Sequence, residues 1–223
     1  MSLHAAASAT AAVSAAVLAW PMPRLVARLP EPPEADPEKV TYAELAAVPR
    51  LPLRYALWAG AAAGTVGAFL GWHGALLMLV PLSAAGVALA HIDFRTRLLP
   101  KLLVRPLYPV LLLGLVLAAL LERDPGVLTG GVLGAVVALI VYWLLWRFTP
   151  GMGYGDVRLS GLVGMALGAL GWQALGLGLY GGFLLGALGW VPLRLLGFTK
   201  DRHFAFGPFM LLGVVAGACV SAL

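Results

Sequence analysis

Two aspartates differ from the other acidic residues of this chain because each lies at the end of a long apolar run. Asp93 closes the apolar segment that reaches Ile92, and Asp156 opens another one after the glycine-rich stretch 151–155. The other eight of the ten acidic residues fall in polar loops and turns. An ionisable side chain at the edge of an apolar segment is costly, so both aspartates are candidates for function.

Two carboxyl groups that share one water molecule can hydrolyse a peptide bond. They cannot both ionise cheaply, so one stays protonated while the other acts as the base. The base activates water for attack on the carbonyl carbon, and the acid polarises the carbonyl oxygen. Such a pair titrates as a unit. Other metal-free arrangements fit poorly, because no Gly-x-Ser-x-Gly motif occurs and the four histidines are scattered.

The alternative interpretation is that each aspartate is a helix-end residue that pairs with a nearby arginine. It has some force for Asp156, because an acid in the first turn of a helix interacts favourably with the helix dipole. It has less for Asp93, since an acid at the carboxyl end of a helix opposes the dipole. The two positions together therefore favour a functional pair.

The elements that carry these acids are predicted to be membrane helices. The chain has 223 residues, of which 61% are hydrophobic and only 11% are charged, whereas soluble domains are nearer a quarter charged. Apolar runs of roughly 15 to 22 residues match the thickness of a bilayer. We predict an all-α polytopic membrane bundle of about eight transmembrane helices. The predicted spans are 3–20, 55–71, 74–91, 102–121, 127–147, 157–171, 173–193 and 206–222. As domains, we predict a first transmembrane segment (1–20), a cytoplasmic loop (21–54) and a seven-helix membrane domain (55–223).

The basic residues orient this bundle. Threading eight spans places every lysine and arginine except Arg123 on one side, which the positive-inside rule makes cytoplasmic. Asp93 and Asp156 then lie at the cytoplasmic face. The net charge of +5 does not indicate nucleic-acid binding, because the basic residues are spread over short loops. The single cysteine, Cys219, excludes a cysteine-cluster zinc site and is interpreted as a small buried hydrophobe.

Three motifs around these acids resemble those of the bacterial type IV prepilin peptidases, which are Gly-x-Gly-Asp aspartyl proteases. The first is Gly153-Tyr154-Gly155-Asp156. The second runs from Ile92 to Pro100 and includes Arg95, Thr96 and Leu99. The third, Phe206-Gly207-Pro208-Phe209, starts the last span. They occur in the family's order and spacing, and the resemblance covers residues 55–223.

The resemblance implies a membrane endopeptidase with Asp93 and Asp156 as its catalytic pair. The substrates would be type IV prepilins or pseudopilins, whose short basic leader is removed at the cytoplasmic face of the bacterial inner membrane. Proteolysis would need no metal and no cofactor. The residues expected to support the site are Gly153, Gly155, Thr96, Pro100, Gly207 and Pro208.

The sequence departs from the family in its loop and at three motif positions. Many members carry a larger cytoplasmic region with two Cys-x-x-Cys pairs, whereas residues 21–54 contain no cysteine. S-Adenosylmethionine-dependent methylation of the new N-terminus is linked to that region, so N-methyltransferase activity stays an open alternative here. Ala205, Lys101 and Arg158 replace the more common residues at their positions, and none of these changes alters a carboxylate.

A membrane transporter or channel is the competing class, because it would also place acids among glycine-broken helices. Against it, both acids fall at one membrane face rather than at the midplane, and no inverted repeat is visible. A purely structural scaffold would leave Asp93 unexplained. The sequence does not identify the substrate pilin.

Glycines four residues apart recur in several spans, as in Gly130 and Gly134 or Gly213 and Gly217. This spacing lets helices approach closely. We interpret it as packing within the bundle, with a homodimer face as the alternative.

A cluster of acids precedes the second span: Glu31, Glu34, Asp36 and Glu38. Such a cluster is usually a solvated loop. The sharper hypothesis is that it attracts a basic leader peptide.

Overall fold

The computed structural model describes residues 3–31, 40–149, 152–195 and 205–223, and all regular structure in these ranges is helical. The helices are α1 Leu3–Ala19, α2 Met22–Val26, α3 Tyr42–Ala46, α4 Leu51–Leu70, α5 Leu76–Thr96, α6 Lys101–Glu122, α7 Pro125–Phe148, α8 Tyr154–Gly168, α9 Trp172–Leu195 and α10 Gly207–Val220. The predicted all-α polytopic bundle is confirmed.

Each predicted span coincides with one long helix, but three boundaries differ in informative ways. Helix α4 begins at Leu51 rather than at residue 55, since Pro52 is accepted in a first turn. Helix α5 continues to Thr96 rather than to residue 91, which places Asp93 inside its last turns. Helix α8 begins at Tyr154 rather than at residue 157, so Asp156 lies in its first turn.

Several helices are suited to a lipid environment. Four helical segments of the described chain are long and apolar enough to cross a membrane: Leu3–Val26, Leu76–Thr96, Lys101–Glu122 and Pro125–Phe148. Large apolar side chains such as Leu113, Leu120 and Leu188 are exposed on the outside of the bundle. Exposed apolar surface on this scale is expected where hydrocarbon replaces water as the solvent. The count of eight crossings stays a prediction.

The predicted glycine pairs lie between helices of the same chain. A Cβ atom on Gly134 would overlap the carbonyl oxygen of Gly164, so α7 and α8 meet backbone to backbone. Gly213 on α10 faces the carbonyl oxygen of Gly178 on α9 in the same way. Gly60 on α4 would place a Cβ 3.1 Å from the carbonyl oxygen of Ala12 on α1. The glycines therefore build three close seams within the bundle.

Helix α5 is central to the assembly, because it contacts α1, α4, α6, α8 and α10. One end of α5 is tied down by the α4–α5 turn. There the Glu122 carboxylate accepts a hydrogen bond from the Gly74 N–H at 2.6 Å and lies 3.0 Å from His73 Nδ1. The other end of α5 carries Asp93 and faces the start of α8.

Candidate active site

A cavity of about 770 Å³ lies where α5 ends and α8 begins, and both aspartates line it. Asp93 is 4% exposed and Asp156 is 5% exposed. The two carboxyl groups are near enough to interact electrostatically. They are 63 positions apart in the sequence, so the fold, and not local geometry, brings them together. This juxtaposition is what the sequence predicted for the pair.

The first turn of α8 positions Asp156. Its Oδ2 accepts a hydrogen bond from the Gly153 N–H at 3.2 Å, and Asp156 is the third residue of the helix. The N-terminal end of the helix dipole also favours a negative charge at this position. Oδ1 of Asp156 is buried without a hydrogen-bond partner among the described residues. Since buried acceptors are normally paired, this oxygen is a candidate acceptor for a water molecule or a substrate.

The start of α10 positions Asp93. Its Oδ2 accepts a hydrogen bond from the Gly207 N–H at 2.9 Å. A Cβ atom at residue 207 would lie 2.9 Å from the same oxygen, so glycine is needed for this approach. The neighbouring Phe206 is buried and packs against Tyr142 and Phe183, with ring centroids 6.0 and 5.0 Å away. This aromatic cluster fixes the amide that holds Asp93.

The turn between α5 and α6 redirects the chain just beyond Asp93. Arg97 has a left-handed φ of 58° and donates its N–H to the Asp93 carbonyl oxygen at 2.7 Å. The Thr96 hydroxyl donates to the Ile92 carbonyl oxygen at 2.8 Å and accepts from the Leu98 N–H at 3.3 Å. Thr96 thus shapes the turn and is not among the residues that line the cavity.

This turn also contacts the glycine loop that precedes Asp156. Pro100 starts α6 in an extended conformation and lines the cavity. Leu99 fills the space beside Gly155, where a Cβ atom would lie 2.7 Å from Leu99 Cβ. The absence of a side chain at Gly155 therefore lets the α5–α6 turn approach α8 and bring the aspartates to one cavity.

Aromatic and basic side chains surround the first turn of α8. The Arg158 guanidinium lies 4.7 Å from the ring centroid of Tyr154, and Tyr154 packs edge to face against Trp146 at 5.0 Å. The Tyr108 hydroxyl donates to the Arg158 carbonyl oxygen at 2.7 Å. These contacts fix the helix start to α6 and α7.

Not every predicted site residue faces this cavity, and several residues that line it were missed from the sequence. Pro208 lines a separate apolar groove.

Tyr42, missed from the sequence, lines the cavity together with Glu31, whose Oε1 accepts the Tyr42 N–H at 2.6 Å. Burial and the Glu31 charge raise the pKa of the Tyr42 phenol. The available signal was the spacing of Thr41 and Glu44, which form a capping box at the start of α3. Glu34, Asp36 and Glu38 lie outside the described residues.

The described residues contain no group of three or more histidine, cysteine, aspartate or glutamate side chains arranged to hold a metal ion. Cys219, the only cysteine of the chain, is half-buried on α10.

The sequence of the site and of the helices around it matches a known family. The model of the type IV leader peptidase family matches residues 81–222, a range that includes both aspartates and the start of α10. The chain belongs to this family. No solved structure matches the chain.

Individual relatives agree with the family assignment. The prepilin leader peptidase/N-methyltransferase of Escherichia coli strain K12 is 37% identical over 132 residues, which cover 57% of this chain and 56% of that protein. The protein of the same name from Dickeya chrysanthemi is 35% identical over 162 residues, which cover 68% of this chain and 54% of that protein. The chain spans about half the length of the curated relatives it matches.

Proposed function

We propose that this chain is a membrane aspartyl endopeptidase that removes the basic leader peptide of type IV prepilins or pseudopilins. The observation that carries the proposal is the shared cavity of Asp93 and Asp156, in which a backbone N–H holds one oxygen of each carboxyl group. The names of the relatives support the choice of prepilins as the substrate class.

The proposed reaction uses the two carboxyl groups and one water molecule. The pair holds one proton between them, as an aspartyl mechanism requires. The ionised member of the pair accepts a proton as the water oxygen bonds to the peptide carbonyl carbon. The other carboxyl group donates its proton to the carbonyl oxygen. Collapse of the tetrahedral intermediate breaks the C–N bond. The leaving nitrogen takes the proton that the base removed from water, and a hydroxyl group of the intermediate returns a proton to the other carboxyl group.

The proposed location is the bacterial inner membrane, with the cavity open to the cytoplasm. The support is the distribution of lysine and arginine, since only Arg123 falls on the opposite side of the predicted topology. Surrounding lipid is then a constant partner of the chain. The glycine faces that suggested a homodimer are occupied by helices of the same chain. A homodimer therefore stays a prediction that these faces do not support.

The proposal is confined to proteolysis. The names of the relatives include N-methyltransferase, but the sequence lacks the cysteine-containing region to which that activity is linked in the family. No cavity residue is assigned to S-adenosylmethionine, and no step above uses it. A transporter or channel is disfavoured by the family membership of residues 81–222.

The experiment is cleavage of a purified prepilin by the purified chain in detergent, with mass spectrometry of the product. We expect loss of the leader at one peptide bond. Asp93→Asn and Asp156→Asn should each lower kcat by about a hundredfold to ten-thousandfold, the range for loss of a general acid or base. The same spectra report whether the new N-terminus gains a methyl group when S-adenosylmethionine is added.

The matched control is Asp124→Asn at the opposite end of the bundle. Asp124 caps α7 by accepting the Gly126 N–H at 2.7 Å, and asparagine preserves that cap. This variant should cleave at the wild-type rate. Unchanged cleavage in either Asp93→Asn or Asp156→Asn would refute the catalytic pair.

A further inference from the structure

A second concavity, also bordered by α5, is separate from the aspartate cavity. This groove, of about 660 Å³, is formed by α4, α5 and α10, and most of its walls are leucine, valine and alanine side chains. It shares no lining residue with the aspartate cavity in the described parts of the chain. Pro208 faces this groove, while the adjacent Gly207 faces Asp93.

One end of the groove is polar. Arg54 and Tyr55 come from the first turns of α4, and His91 comes from the last turns of α5. The Tyr55 hydroxyl and His91 Nδ1 are hydrogen-bonded at 2.8 Å. Arg54 and Arg95 both act electrostatically on His91, so the guanidinium groups and the ring lie near one another. The groove therefore has a long apolar part and one basic end.

The basic end lies at the depth of lipid headgroups in the predicted orientation. Helices α4 and α10 begin, and α5 ends, at the end of the bundle that carries Asp93. Trp58 and Phe94 line the groove and are 70% and 61% exposed, so it opens sideways toward the bilayer. Aromatic and basic side chains together are typical of the membrane interface.

Among the residues that the structure describes, no acidic side chain balances the charge at this end. Arg54 is exposed and forms no ion pair within the described chain, and no aspartate or glutamate lines the groove. Basic pockets between membrane helices on the cytoplasmic side attract anionic lipid headgroups. A ligand with one anionic group and an apolar tail would match both parts of the groove.

We infer that this groove is a binding site for an anionic phospholipid, with the acyl chains against the apolar walls and the phosphate at Arg54. A substrate segment matches the groove less well, because the groove shares no described lining residue with the aspartate cavity and its basic end would repel a basic leader. The inference depends on the membrane orientation and is independent of proteolysis.

The test is native mass spectrometry of the full chain in detergent with equal amounts of phosphatidylglycerol and phosphatidylcholine. Wild type should retain phosphatidylglycerol in preference. Arg54→Gln should lower that preference about fivefold, the factor for one juxtamembrane basic charge. Arg105→Gln removes an exposed arginine of α6 outside the groove and should leave the preference unchanged. Arg54→Lys keeps the charge and should retain most of it.

A second variant separates the groove from the general lipid annulus. Ala62→Phe fills the apolar part of the groove without changing charge, and it should lower retention of both lipids. Equal preferences in wild type and Arg54→Gln, with both variants folded by circular dichroism, would overturn the site. An apolar helical peptide can be added to the same sample. If wild type retains this peptide in place of either lipid and Ala62→Phe does not, the occupant is a polypeptide, and the lipid site is overturned as well.

Discussion

Helix α8 contributes to two regions that are built in opposite ways. The second half of this helix packs against α7, where Gly164 and Gly168 face the backbones of Gly134 and Gly130. Its first turn borders an open cavity and carries a carboxyl oxygen that has no partner in the described chain. The four buried polar or charged residues of the described ranges are near this end: Asp93, Thr96, Asp156 and Ser160.

The difference separates the part that holds the fold from the part to which we assign the proposed chemistry. Close backbone contact gives many small dispersion contacts and no polar cost. Burying carboxyl groups is costly unless they are fully paired, and Asp156 is only half paired. The seam therefore supports the cavity to which we assign the proposed reaction. Changes in the two regions should therefore affect different measurements.

The largest expected effect on stability comes from the α7–α8 seam. Gly164→Ala places a methyl group against the Gly134 carbonyl oxygen, so we expect a loss of about 1–3 kcal/mol in the free energy of unfolding. Gly176→Ala on α9 is the matched control, because nothing lies within 4 Å of its Cβ position. That variant should equal wild type or gain up to about 1 kcal/mol. Denaturant unfolding in micelles measures both, and equal stabilities would contradict the seam's role.

The next effect should appear in catalysis and not in stability. Gly207→Ala would bring a Cβ to 2.9 Å from Asp93 Oδ2 and shift that carboxyl group, and small misplacements of reacting groups are costly. We expect kcat to fall roughly tenfold with little change in the unfolding midpoint.

Gly153→Ala is the control for Gly207→Ala, because Gly153 also donates its N–H to an aspartate. Its Cβ would lie 3.5 Å from Asp156 Oδ2, an ordinary van der Waals distance, and its φ of −79° suits any residue. This variant should keep kcat within about twofold of wild type, since no reacting group is displaced. Equal losses in both glycine variants would mean that backbone freedom, and not the approach to Asp93, is what matters.

The sequence was sufficient to predict the helices and the acid pair for a physical reason. Each apolar run must be a helix in a bilayer, because no water is present to satisfy its backbone groups. Asp93 and Asp156 stood out because they are the acids within a residue or two of predicted span ends on the cytoplasmic side. The extension of α5 past His91 was not predicted, since polar side chains such as Arg95 and Thr96 look like a loop although they leave the helical backbone bonds intact.

Contacts made across the bundle left no signal in the sequence. Gly207 was expected near the site, but its role as the donor to Asp93 depends on the docking of α10 on α5. Tyr142 is one of several aromatic residues in the apolar run 127–147, and its sequence position does not distinguish it from the others. Only the fold places it against Phe206. Tyr42 is held beside the cavity by a hydrogen bond from its N–H to the Glu31 carboxylate, which joins two parts of a polar loop. Such contacts are set by tertiary packing and not by local pattern.

The smallest expected effect tests the rim of the cavity. Glu31 lines the same cavity as the aspartates and lies on the predicted cytoplasmic side, where a basic leader would approach. Glu31→Gln keeps an acceptor for the Tyr42 N–H but removes the charge, so KM for prepilin should rise about twofold at an ionic strength of about 0.01 M. The rise should vanish at high salt, because the charges are then screened, and kcat should not change. A rise in KM that is the same at both salt concentrations would assign Glu31 to loop structure and not to leader attraction.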